Sequence, residues 1–238
     1  MANVHESSYV GSELDLFALA KNWKRYIKDE TSSYTTGDVL EVGAGIGATT
    51  LALHDGTARR WTCLEPDHTL ARRLKARLGS SFAGASVDVV VGSLRTFADS
   101  PCLDCILYID VLEHIEDDRG QIEAAARLVR PSGHIVILSP AHHWLFSEFD
   151  KSIGHLRRYD RAGLRSLMPR GWTEEKLVYM DSIGVLLSLG NVVGLRQSVP
   201  TESQIILWDR VCVRVSRFMD RLFCGAVGKS VLAVWRKE

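Results

Sequence analysis

The 238-residue chain is 46% hydrophobic, carries 29 basic and 29 acidic residues, and holds five cysteines. That length suits one domain with an appended cap, since ~150 residues is the soft expectation for a domain, and the apolar content suits a full globular core. Zero formal charge excludes a global pull toward nucleic acid or an anionic membrane while leaving room for a local patch, and an odd cysteine number without a secretory signal points to reduced thiols in a cytoplasmic setting.

Met1 to Gly11 is polar, with neither a basic start nor an apolar run, so it does not read as a secretory signal. Ser12-Glu-Leu-Asp15 fits a helix cap, and Leu14, Phe17, Ala18, Trp23, Tyr26 and Ile27 continue with helical spacing through Lys28. Asp38 to Val42 reads as a short buried strand, Gly43 to Gly47 as a glycine-punctuated turn, and Thr49 to His54 as the start of a helix. Arg60 to Glu65 is the next strand, stopped by Pro66, and His68 to Leu78 is a helix with Leu70, Leu74 and Leu78 on one face. Strands over Ser86 to Val91, Asp104 to Ile109 and His134 to Ser139 follow, with a helix over Glu116 to Val129 that Pro131-Ser-Gly133 ends. This alternation predicts βαβ units and a parallel sheet. Ala141 to Arg158 has no clear period, Asp160 to Leu167 is a short helix, and Thr173 to Asp181 and Ser230 to Trp235 are candidate last strands. Between those two, Ile183 to Leu195 and Ile205 to Phe223 look helical, with a loop at Gln197 to Ser203, and the apolar run Ile183 to Leu195 falls short of the ~20 residues that span a bilayer.

A glycine turn between strand and helix lets main chain approach a ligand where any Cβ would collide, and in an open α/β sheet this crevice takes nucleotide-like ligands. Gly43-x-Gly45-x-x-Ala48 satisfies the relaxed dinucleotide pattern, and Glu41-x-Gly43-x-Gly45-x-Gly47 equally satisfies that of S-adenosylmethionine (SAM) enzymes, so the turn alone does not choose. Glu65, at the end of the second strand about 20 residues on, is placed to accept hydrogen bonds from ribose hydroxyls.

Tyr108-Ile-Asp110-Val-Leu-Glu-His114-Ile is more specific. Together with Val39-Leu-Glu-Val-Gly-Ala-Gly-Ile-Gly47 and Cys63-Leu-Glu65-Pro-Asp67, it resembles the class I SAM-dependent methyltransferases, in whose small-molecule branches the Asp-Val-Leu-Glu-His-Ile form recurs. The resemblance covers residues 38 to about 141, with its motifs in the family's order. It implies an α/β, Rossmann-like sheet, mostly parallel, with a seventh strand returning antiparallel between the fifth and sixth. It also implies SAM as cofactor and transfer of a methyl group to O or N of a small-molecule acceptor. Glu41 and the turn of Gly43, Ala44, Gly45 and Gly47 would hold the amino-acid end of SAM. Glu65, followed by Pro66, would take the ribose; Gly92, Ser93 and Leu94 would border the adenine, with Ser93 standing where many relatives carry Asp. Asp110, Val111 and Leu112 would line the methionine arm and the methyl-facing pocket.

Beyond the fifth strand, Gly154-His155-Leu-Arg157-Arg158-Tyr159-Asp160 follows Phe149-Asp150 and resembles a Gly-His-x-Arg-Arg-Tyr element of uncharacterised bacterial methyltransferases, some associated with polysaccharide or glycolipid pathways. A neutral histidine can take a proton from an attacking nucleophile, and arginines can bind a carboxylate or phosphate. His155 is therefore the candidate base, Tyr159 and His114 are further catalytic candidates, and His143, Arg157 and Arg158 are candidate substrate contacts. The bland alternative is a solvated charged loop with Asp150 or Asp160 as ion-pair partner, and His114 as a helix cap. Adjacent His142 and His143 face opposite ways, and Cys102-x-x-Cys105 lacks a second pair, so no metal or redox site is expected.

The sequence thus predicts one methyltransferase domain over residues 1–238. Its parts are a SAM-binding core at 38–141, a substrate loop region at 142–172 and a helical cap at 182–228. The apolar cap reads either as core or homodimer surface, or as a pocket wall for a lipid-like acceptor, and the acceptor classes left open are anionic, lipid-linked and sugar-linked small molecules. Two rivals remain, a nicotinamide-dependent oxidoreductase and a non-enzymatic SAM-binding module. A nucleic-acid partner is disfavoured by neutral charge and by the lack of a base-flipping signature.

Overall fold

The computed structural model describes residues 12–81, 87–97, 101–191 and 199–238. The readings made for Met1 to Gly11, for Ser86, and for the end of the apolar run and start of the loop at 192–198 lie outside them. Seven strands form one sheet: β1 (Gly37–Val42), β2 (Ala58–Glu65), β3 (Val87–Val91), β4 (Leu103–Ile109), β5 (Val129–Pro140), β6 (Trp172–Met180) and β7 (Ser230–Lys237). Their order is β3-β2-β1-β4-β5-β7-β6. The first five pair parallel, and β7 runs antiparallel to both β5 and β6. That is the hairpin ending the resemblance implies.

Period-two alternation sends successive residues to opposite faces. In β4, Cys105, Leu107 and Ile109 join one core, and Ile106 and Tyr108 the other. On the first face lie α2 (Lys21–Thr31), α3 (Ala48–Leu53) and α4 (His68–Ser81), together with the cap helices α9 (Glu202–Leu207) and α10 (Val213–Leu222). On the second lie α5 (Asp118–Leu128) and α7 (Arg161–Leu167). Leu70, Leu74 and Leu78 of α4 are all buried, as their spacing predicts.

Two local expectations are corrected. The N-terminal helix is broken into α1 (Ser12–Phe17) and α2, with Ala18 to Ala20 between them. Ala20 offers α2 no capping side chain, so Asp209, from the π-turn Trp208–Cys212 of the cap, accepts the N–H groups of Asn22 (3.1 Å) and Trp23 (2.9 Å). A carboxylate at a helix start satisfies otherwise unpaired donors and the positive end of the dipole. Secondly, Pro131-Ser-Gly133 does not separate helix from strand, because β5 already starts at Val129. The chain bulges between the pairs Leu103–Val129 and Cys105–His134, with Ser132 at φ 64°.

The cap fills the connection between β6 and β7 with α8 (Ser182–Gly190), α9, the π-turn and α10. Buried acids hold it. Asp181 caps α8 through Gly184 N–H and accepts from Trp208 Nε1 (2.8 Å) and Ser216 Oγ (2.6 Å). Asp220 accepts from the N–H groups of Asp181 and Ser182 and from the Tyr26 hydroxyl.

Candidate active site

A cavity of about 470 Å³ opens at the carboxyl ends of β1 and β4. One wall is the glycine turn with Glu13, Leu14 and Phe17 of α1. The floor carries Asp110, Glu113, His114, His155 and Arg158, and the cap supplies Leu187, Ile205, Leu207 and Trp208. The size lies within the roughly 300–1,000 Å³ of small-molecule sites.

The turn is main chain brought close. Gly43 and Gly45 line the cavity at φ 66° and 56°, and a Cβ on Gly43 would stand 2.8 Å from a methyl of Val111. Ala44 also lines it. Gly47, at φ 78°, starts α3 against Leu74 instead, and Val111 lies behind the turn rather than on the cavity wall.

Glu41 is corrected from ligand contact to core staple. It is buried beneath the turn, where Oε2 accepts from Thr50 Oγ1 (2.7 Å) and Trp61 Nε1 (2.9 Å). Burial pushes its carboxyl up to about 7. The folded state then binds the proton more tightly than the unfolded one, so stability should fall as pH rises from 4.5 toward about 7. Glu41→Gln keeps an acceptor for both donors and should flatten that part of the Tm-against-pH curve. An unchanged slope would assign the effect to another group.

Glu65 is buried as well and does not itself line the cavity. Its two oxygens accept Gly45 N–H (2.8 Å) and Asp67 N–H (2.9 Å), and each retains room for a further donor. Pro66 is exposed beyond it. Gly92 supports the next turn by donating to Glu65 O (3.2 Å), while Ser93 and Leu94 border a separate depression with Ile115, Asp117 and Gln121, off the main cavity. Leu112 is fully buried in the second core and does not line the methyl-facing pocket.

Asp110 sits at the end of β4 with φ 54°, fixed by its N–H donating to Leu138 O (2.8 Å). It opens onto the cavity yet lies deep among protein atoms, and that poor hydration holds its carboxyl above the usual range against the pull of nearby His155, Lys229 and Lys24. Lys24 of α2 also lines the cavity, and burial pushes its ammonium down to about 8.

His155 is held where the loop region meets the motif. Its Nδ1 lies 2.8 Å from Asp150 Oδ1, and its Nε2 lies 3.7 Å from Glu113 Oε1. Glu113 is fully buried; Oε2 accepts from Ser139 Oγ (3.0 Å), but Oε1 has no hydrogen-bond partner among the described residues. Burial first, then the charge of Asp110, holds the Glu113 carboxyl well above the carboxylate range. His114 stacks edge-on against His155 at 4.7 Å, its Nδ1 3.2 Å from Gly154 O, and burial pushes its imidazole down to about 4. Glu113, His114 and His155 together place three potential ligand atoms within 4.8 Å of one another, a grouping the sequence reading did not foresee.

The remaining polar candidates are engaged elsewhere. The Tyr159 hydroxyl donates to Asp118 Oδ2 (2.8 Å) inside the second core, off the cavity. Arg157 pairs with Asp118 (2.7 Å) and donates to Glu116 O. Arg158 lines the cavity, but it grips Asp150 with Nε (2.8 Å) and Nη2 (2.9 Å) and donates Nη1 to Ala141 O. His143 is exposed in a short 3-10 turn and does not line the cavity. Sequence reasoning missed Glu113 as a site residue although it lies inside the quoted motif. It named Asp150 only as a salt-bridge partner, and nothing in the sequence flagged Lys24 or α1.

A family described as "Methyltransferase domain" has a sequence model that matches residues 40–137. This segment is a methyltransferase domain. The ubiquinone biosynthesis O-methyltransferase of Pectobacterium atrosepticum is 31% identical over 113 residues, 46% of this chain and 45% of that protein. The enzyme of the same name from Alkalilimnicola ehrlichii is 33% identical over 101 residues, 41% of this chain and 39% of its own length. The chain thus spans less than half the length of the curated relatives it matches. Among solved structures, N-methyltransferase NodS from Bradyrhizobium japonicum WM9 aligns with a TM-score of 0.58 at 16% identity, covering 92% of this chain and 96% of that one. The [4+2]-cyclase SpnF aligns at 0.61 with 12% identity, covering 96% and 94%. These likenesses show the fold, and a fold that also serves a cyclase leaves the reaction to be argued from the site.

Proposed function

We propose that the chain transfers a methyl group from SAM to an oxygen or nitrogen of a small-molecule acceptor, with His155 taking the proton. The observation that carries this is the fixed pair at the cavity floor: His155 Nδ1 anchored on Asp150 at 2.8 Å, and Nε2 facing the unpartnered Glu113 Oε1 at 3.7 Å. When bound, SAM supplies a methyl already made electrophilic by its sulfonium. The chain's work is then to align the attacking atom and remove its proton.

The lining fits a ligand that carries both charges. Glu13, Asp110 and Glu113 stand on the cavity beside Lys24, Arg158 and Lys229, and the Gly45 N–H is already given to Glu65. A diphosphate would find that donor of the glycine turn taken, which argues against the nicotinamide rival. The backbone of Gly43 to Gly45, with Asp110, would hold the amino-acid end, and Glu65, one hydrogen bond behind the Gly45 N–H, would take the ribose through its spare lone pairs. Asp150 donates nothing to the reaction; its bond to Nδ1 sets the tautomer that leaves Nε2 free to accept.

Calorimetric titration with SAM, S-adenosylhomocysteine and NADH tests the reading. Both adenosyl ligands should bind and NADH should not, and Glu65→Ala should weaken binding at least about ten-fold, the cost of one charge-assisted hydrogen bond. NADH binding instead, or binding of neither adenosyl ligand, would sink it. Tight SAM binding without turnover across hydroxyl and amine acceptors would favour a non-enzymatic SAM module.

A further inference from the structure

Neutral overall charge conceals a sharply sorted surface on the cap. Of the 14 large hydrophobic residues exposed among the described residues, 11 fall within the cap region 182–228. Along α9, the π-turn and α10, the exposed ones recur on one side: Leu207 (62% exposed), Val211, Val215, Phe218 (69%) and Leu222 (64%). Steps of three and four residues place them in a single row.

A second row borders the first. Arg210, Arg214, Arg217 and Arg221 follow the same period, two or three residues behind Leu207, Val211, Val215 and Phe218. Between Leu207 and Leu222 the acids, Asp209 and Asp220, are buried, taken up by the N–H groups of Asn22, Trp23, Asp181 and Ser182, and the exposed acid of α9, Glu202, stands at its start. Arg217 lies against Asp29 and Tyr26, and Arg214 reaches Asn22. Arg210 and Arg221 make no side-chain hydrogen bond or ion pair among the described residues. The face therefore presents leucine, valine and phenylalanine beside a row of arginines in which Arg217 is paired with Asp29 and Arg210 and Arg221 are not paired among the described residues.

We infer that this face docks on a bilayer containing anionic lipid and that the cavity draws its methyl acceptor from that surface. The pattern is that of an interfacial helix, where apolar side chains enter the acyl boundary and arginines meet phosphate headgroups. A second copy fits less well, because two such faces brought together would set four arginines from each side by side, with Asp29 already paired to Arg217 and Glu202 eight residues before Arg210. The cavity mouth lies on the same side: Leu187 and Leu207 both line the cavity and are at least half exposed. An acceptor with an apolar tail, held at the surface by that tail, would pass its polar end between them toward His155. This last step rests on the proposed methyl transfer; the docking does not. No helix among the described residues is long and apolar enough to cross a membrane, so the association is peripheral.

The test is co-sedimentation of the full chain with phosphatidylcholine vesicles, with and without phosphatidylglycerol, read without SAM. Binding should require phosphatidylglycerol and weaken in high salt. The double variants F218S/L222S and R210E/R221E should each lose at least about ten-fold in vesicle partition while keeping the parent's affinity for SAM. Failure to bind either vesicle, equal binding to both, or variants that bind like the parent would overturn the inference. So would a dimer in light scattering that F218S/L222S dissolves. Loss of SAM binding in the parent would instead count against the methyltransferase reading and leave the vesicle result standing.

Discussion

His155→Ala should lower turnover of a hydroxyl acceptor by about a hundred- to ten-thousand-fold, the range expected for removal of a positioned general base, and leave SAM binding unchanged. The size follows from how few groups on the floor can take a proton. The Glu113 carboxyl is fully buried and held well above its usual range by that burial, with Oε2 already accepting from Ser139, so it is poorly placed to reach an acceptor's proton. The Asp150 carboxylate is held well below its range by the His155 and Arg158 hydrogen bonds, which outweigh its burial, and it is too weak a base. His114 is pushed down to about 4, so its imidazole is neutral but a poor acceptor. His155 is left, with Asp150 fixing one nitrogen at 2.8 Å. Glu113→Gln serves as the contrast: it keeps a hydrogen-bonding group opposite Nε2 and should cost far less than His155→Ala. Release of S-adenosylhomocysteine with acceptor present is the readout, and full turnover by the His155 variant would remove it from the base role.

The fold was legible because its signals are local. Alternation in Cys105 to Ile109, glycines at 43, 45 and 47, and Leu70, Leu74 and Leu78 on one helix face each follow from backbone geometry and need no distant partner. The break between α1 and α2 was not legible, because the group that caps α2 is Asp209, far along the chain. The site divides in the same way. Asp110 and His155 both line the cavity, since strand ends and the following loops converge there. Tyr159, Arg157, Arg158 and His143 were not separable by residue type. Adjacent arginines on an extended segment point to opposite sides, and each met a different acid, Asp118 for Arg157 and Asp150 for Arg158. Glu41 satisfied the family pattern, yet in this chain Thr50 and Trp61 occupy its carboxylate. A sequence names the donors and acceptors; it does not say which of them have already found one another.

Asp150 is where that pairing carries the most energy. The side chain is fully buried and takes five donors: Nε and Nη2 of Arg158, Nδ1 of His155, and the N–H (2.8 Å) and Oγ (2.9 Å) of Ser147. Asp150→Ala would leave the buried Arg158 guanidinium without its counter-charge, a change that costs about 3–5 kcal/mol in comparable buried pairs. Against a net stability of about 5–15 kcal/mol, that loss is severe, and the melting temperature should fall by roughly 10 °C. The double variant Asp150→Leu/Arg158→Met removes both charges and should recover much of the loss, because the cost lies in the stranded cation rather than in the missing bonds. The pH dependence has a definite sign. A carboxyl whose folded pKa lies below its unfolded value of about 3.9 stabilises the fold above that value, and the contribution is lost as pH falls through the folded pKa. The parent should therefore lose stability in acid below about pH 4 more steeply than the double variant does. Parallel acid limbs, or an Asp150→Ala protein that melts like the parent, would show that Arg158 finds another partner when Asp150 is gone.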